Sequence, residues 1–128
     1  MTWSQRLLAV FFIAAGALHF LRPGMYEQIM PDFVPAHHEL VLASGAAEIA
    51  GGLGVLPEQT RRLAGLWLAA TLVAVFPANI HMALHPERYP GLSPALLWGR
   101  VVLQPLAIWW ALAATRPSRD AVAQRAET

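Results

Sequence analysis

Four long apolar stretches dominate this chain: Trp3–Leu21, Leu40–Leu56, Leu63–Leu84 and Ala95–Ala114. A helix crossing ~30 Å of hydrocarbon needs about 20 mostly apolar residues, and each stretch approaches that length. All are too long for strands and none alternates polar with apolar residues. Lipid offers no partners to backbone N–H and C=O groups, so a spanning segment of this length must satisfy them internally, as helix. The expected fold is therefore all-α, a four-transmembrane-helix bundle. Its second member, short and rich in Gly and Ala, is expected to extend at its ends or to sit in a thinned region. Composition agrees: 56% of residues are hydrophobic and 13% are charged, against roughly 25% charged in soluble domains. The nine basic residues, all Arg, nearly balance eight acids, so no basic patch points to a nucleic acid. The absence of cysteine excludes disulfides, thiolate metal sites and thiol catalysis.

The connections carry the helix breakers. Arg22–Glu39 holds Pro23, Gly24, Pro31 and Pro35 and reads as a loop with one short turn. Pro57–Arg62 reads as a tight hairpin and Pro86–Pro94 as a proline-rich loop. Residues 1–115 then form a single membrane domain, followed by a polar cytoplasmic tail, 116–128. The first segment, with Arg6 before it and Ala14, Ala15 and Ala17 inside it, has the outline of a signal peptide. Its cleavage motif is loose, which favours a retained helix. Arginine placement orients the bundle. Arg6, Arg61, Arg62, Arg116, Arg119 and Arg125 fall on one side and Arg22 and Arg88 on the other, which places both termini in the cytoplasm.

An unpaired ionisable group at membrane depth costs at least ~2.5–3.5 kcal/mol, so polar residues inside these segments require a reason. They are His19 in the first, Ser44 and Glu48 in the second, Asn79 and His81 in the third, and Arg100 and Gln104 in the fourth. At ~1.5 Å rise per residue, all seven fall in the outer half of the membrane. Ser44 with Glu48, and Arg100 with Gln104, stand four apart and share a helix face. Glu48 and Arg100, of opposite sign, are expected to meet between the second and fourth helices. Three roles remain open for them: a structural ion pair, an outward polar cavity for an anionic or quinone-like group, or a proton relay. Asn79 and His81, two apart, face opposite ways on a regular helix. Pro77, which frees the carbonyl of Val73, is expected to kink the helix and turn Asn79 inward beside His81. Pro105 does the same to the carbonyl of Val101. Ala43, Ala47 and Gly51 form a small-residue stripe suited to close helix packing. His81 with His85, and the His37-His38-Glu39 run, could ligate a metal or haem. Pro86 ends the helix beside His85 and no further ligand motif follows, so no metal site is assigned. The five Trp and two Tyr read as interface anchors and lipid-facing bulk.

The runs Met30-Pro31-Asp32-Phe33-Val34-Pro35, Ser44-Gly45-Ala46-Ala47-Glu48-Ile49-Ala50-Gly51-Gly52-Leu53-Gly54 and Thr60-Arg61-Arg62-Leu63-Ala64 resemble the DoxX-like family of small bacterial membrane proteins. So do Val75-Phe76-Pro77-Ala78-Asn79-Ile80-His81-Met82-Ala83 and Arg100-Val101-Val102-Leu103-Gln104-Pro105-Leu106-Ala107-Ile108-Trp109-Trp110. The resemblance implies a multi-pass protein of the bacterial inner membrane, loosely linked to redox chemistry through quinone-reducing or oxidative-stress complexes. It supplies no catalytic residue set. What it implies here is an accessory subunit without independent catalytic activity, a quinone as ligand, and membrane or periplasmic redox proteins or a second copy as partners. A small-solute transporter or channel component and a purely structural subunit of a membrane complex are the alternatives. The apolar inner half argues against a continuous pathway.

Overall fold

A computed structural model of the protein describes residues 1–27, 30, 34–117 and 126–127. Its elements are α1 (Trp3–Leu21), α2 (Pro23–Glu27), α3 (His37–Val55), α4 (Glu58–Leu84), a 3₁₀ turn (Pro86–Arg88) and α5 (Pro94–Ala114). The chain is all-helical, and α1, α4 and α5 are long and apolar enough to cross a membrane. Most of the tail and the Pro31-Asp32-Phe33 part of the first motif lie outside the described residues.

Local chemistry sets the helix starts. Thr2 and Gln5 form a reciprocal capping box on α1, each backbone N–H reaching the other's side chain at 3.1 Å. Ser93 Oγ accepts from Leu96 N at 3.2 Å ahead of Pro94, which opens α5. Two expected boundaries move. Residues 58–62, expected in a hairpin, are the first turn and more of α4, which starts directly after Pro57. Polarity there marks a helix end in water, and Glu58 in the first turn suits the positive end of the helix dipole. Helix α3 starts at His37 rather than Leu40, because its polar first turn is helical too.

Helix α1 packs on α3, α3 on α4, α4 on α5, and α5 returns to α1, while the short α2 lies against α1 and α3. Leu8, Ala9 and Phe12 of α1, Val55 of α3, Ala64, Leu68 and Leu72 of α4 and Ala111 of α5 form one core. That core fills the half of the bundle holding the start of α1 and the end of α5. The ends are tied together there: Gln5 Nε2 donates to Ala114 O at 3.0 Å and Trp110 Nε1 to Ser4 Oγ at 2.9 Å. Arg61 donates to Val55 O and Leu56 O, and Arg62 to Leu112 O, closing carbonyls that a helix end leaves open. A second apolar cluster of Met82, Ala83, Tyr89 and Leu97 joins α4 to α5 at the opposite end. Tyr89 is thus buried, not an interface anchor.

The small residues of α3 work on two faces. Gly45 and Gly52, seven apart, admit α1: a Cβ at Gly45 would lie 2.6 Å from His19 Cβ, and one at Gly52 would lie 2.9 Å from Ala9 O. Of the expected stripe, Gly51 faces Leu68 of α4 and Ala47 O accepts from Trp67 Nε1 at 2.9 Å. Ala43 is exposed. Around the outside Leu7, Phe11, Leu63, Val73, Val102, Leu103, Leu106 and Trp109 are all more than half exposed, an apolar surface suited to lipid rather than water.

Candidate functional site

Between the α2 end of the bundle and the apolar core lies a cavity of about 390 Å³ bordered by α1, α2, α3, α4 and α5. Six of the seven expected residues line it: His19, Ser44, Glu48, Asn79, Arg100 and Gln104. His81 is not among them. Asn79 is 7% exposed and turned inward, whereas His81 stacks on His85 with centroids 4.4 Å apart. Pro77 lies inside a helix that continues to Leu84, and the two-residue offset of that helix keeps Asn79 and His81 on different faces. His85 Nδ1 donates to the carbonyl of His81 at 3.0 Å, a contact within the turn that ends α4.

Asn79 and Gln104 knit α4 to α5. Asn79 Nδ2 donates to Gln104 Oε1 and Gln104 Nε2 donates to Leu72 O, both at 3.0 Å. The carbonyl that a neighbouring side chain reaches is thus Leu72, one residue before the Val73 carbonyl expected from the missing N–H of Pro77. Gln104 thus ties α5 to the backbone of α4 one turn before Pro77, at a carbonyl other than the one proline frees.

Glu48 pairs differently from the expected partnership. Its Oε2 lies 3.4 Å from His19 Nδ1 of α1, while Arg100 enters no ion pair among the described residues. The cause is packing: Gly16 and Gly45 let α1 approach α3 so closely that His19 reaches the carboxylate first. His19 Nδ1 donates to Ala15 O at 2.8 Å, leaving Glu48 Oε2 buried and without a hydrogen bond among the described residues. The cavity therefore holds a carboxylate on its α1/α3 side and a guanidinium on its α5 side.

Tyr26 completes the rim, and sequence reasoning had assigned it to the interface. It lines the cavity and stacks on His19, centroids 3.8 Å apart and planes at 17°. Burial pushes its phenol above the usual tyrosine value; Glu48 pushes the same way and Arg100 opposes it. The available signal was an aromatic placed just after Pro23-Gly24, on a turn folded back over the helix ends. The remaining walls are apolar, with Leu40, Val41, Leu72, Val75 and Pro77 among them. Among the described residues no cluster of three or more His, Asp or Glu could hold a metal ion.

Residues 8–115 match the model of a family described as Domain of unknown function (DUF8561), and the chain belongs to that family. No curated protein and no solved structure matches it.

Proposed function

We propose that this family member is a four-span protein of the bacterial inner membrane, both termini cytoplasmic, that holds a small polar headgroup in its outer-half cavity as an accessory, non-catalytic subunit of a quinone-linked redox system. The observation that carries the reading is the cavity itself. Its volume suits a small ligand, its walls are mostly apolar, and Arg100 stands in it unpaired among the described residues. A guanidinium offers several N–H donors to carbonyl or anionic oxygens, which is what a quinone head presents. The Asn79–Gln104 bridge, one helical turn from Arg100, supports the adjoining wall, and its amide N–H groups are already engaged. The resemblance to DoxX-like proteins supplies the redox setting and the bacterial membrane.

The test is extraction of the protein into lipid nanodiscs directly from membranes, followed by mass spectrometry of the organic extract. A quinone retained by the native chain and lost in Arg100→Leu is expected. A native preparation carrying no quinone refutes the quinone assignment.

A further inference from the structure

A second concavity, of about 370 Å³, runs along the outer face of α3 and α4. Leu40, Ser44, Ala74 and Val75 border both it and the polar cavity. The two spaces therefore lie on either side of one wall between α3 and α4. From that shared wall, we infer a lateral portal to the bilayer between these helices: the ligand is a membrane amphiphile, its polar head in the cavity and its single apolar chain in the α3/α4 groove. The inference rests on the ligand-binding reading above and adds the class and route of the ligand.

The groove is built for a chain. Its floor is made of Ala43, Ala47, Ala70 and Ala74, and small side chains leave a trough where larger ones would fill it. Two of its polar side chains are already engaged, since Trp67 Nε1 donates to Ala47 O and Thr71 Oγ1 to Trp67 O, both at 2.9 Å. The third, Ser44, stands on the wall shared with the polar cavity, and the rest of the trough offers only hydrocarbon contact. In the cavity beyond the shared residues the demand reverses, because among the described residues Glu48 Oε2 is buried without a hydrogen bond and Arg100 enters no ion pair. One molecule that satisfies both spaces has a polar head and an apolar tail. A bilayer already solvates that tail, so the groove adds little attraction; its role is to give the chain a way out while the head is seated. Filling it should therefore exclude chain-bearing ligands by steric conflict.

The experiment titrates the full chain in nanodiscs by calorimetry with decylubiquinone, with palmitate, and with the chain-free head ubiquinone-0. Ala70→Trp and Ala43→Trp fill the groove from opposite helices at exposed positions, and circular dichroism checks that each remains helical. The expected result is a tenfold or greater loss of affinity for whichever chain-bearing probe binds, in both variants, with any binding of ubiquinone-0 kept within twofold. Binding of palmitate but not decylubiquinone, with the same loss, upholds the portal and overturns only the quinone assignment. The portal is overturned if the variants leave chain-bearing probes within twofold, if ubiquinone-0 falls equally, or if neither chain-bearing probe binds the native protein. It is likewise overturned if the variants dissociate an oligomer without changing amphiphile binding, which would make the groove a contact between copies.

Discussion

Tyr26 reports on the charges of the cavity because it stands over both of them. Burial holds its phenol above the usual value of 10.0, the Glu48 carboxylate adds to that, and the Arg100 guanidinium subtracts from it. The signs follow from deprotonation creating a negative charge. Glu48→Gln removes a repulsion and should lower the Tyr26 transition, whereas Arg100→Leu removes an attraction and should raise it. A spectrophotometric titration in a Tyr89→Phe background reads this directly, leaving Tyr26 as the one tyrosine. If neither substitution moves the transition, the two charges do not face the phenol. At this scale the sequence was informative about membership and poor about pairing. Cost alone placed Ser44, Glu48, Asn79, Arg100 and Gln104 together, since a polar group in lipid must find company. That argument cannot say which partner is nearest. The partner of Glu48 is decided by how closely α1 approaches α3, a property of Gly16 and Gly45 rather than of any charge.

That approach sets backbone against backbone. A Cβ at Gly16 would lie 2.5 Å from Gly45 O and 2.7 Å from Ile49 Cγ1, and a backbone carbonyl cannot swing aside as a side chain can. Gly16→Ala must therefore part α1 from α3, at about 1–3 kcal/mol by analogy with other overpacked sites. Gly99 of α5 has nothing within 4 Å of its would-be Cβ, so Gly99→Ala should be neutral or slightly stabilising, as alanine is the better helix former. Thermal unfolding in detergent checks both, and equal loss from the two would show that α1 and α3 are not so closely packed. Separation of α1 from α3 should also carry His19 away from Glu48. The helices themselves were legible because length and apolarity leave few alternatives. The Glu58–Arg62 start of α4 was not, because polar residues at a helix end resemble a loop in composition. The α2 turn was foreseen only as a turn; that its Tyr26 folds onto His19 depends on contacts remote in sequence.

The number of crossings decides on which sides the two termini lie. Helices α1, α4 and α5 pass a length-and-apolarity test for spanning, and α3 falls outside it; α3 opens on His37, His38 and Glu39 and carries Glu48. Three crossings would put the termini on opposite sides of the bilayer, and four would put them on the same side. The reading proposed above is four, and the packing supports it. Gln5 reaches Ala114 O, and Trp110 reaches Ser4, across more than a hundred residues of chain, so the start of α1 and the end of α5 share one end of the bundle. Helix α3 sits between α1 and α4 and hides its charge in the cavity wall, which would let a less apolar helix cross among three more apolar ones. Arginine placement then selects the side: Arg6, Arg61, Arg62 and Arg116 lie at that same end, against Arg22 and Arg88 at the other. Green fluorescent protein fused after Thr128 should fluoresce, and alkaline phosphatase inserted between Arg22 and Glu39 should be active. Phosphatase active both at the C-terminus and between Arg22 and Glu39 would mean that α3 does not cross, and the cavity would then no longer lie within the membrane, whereas activity at the C-terminus alone would invert the proposed orientation.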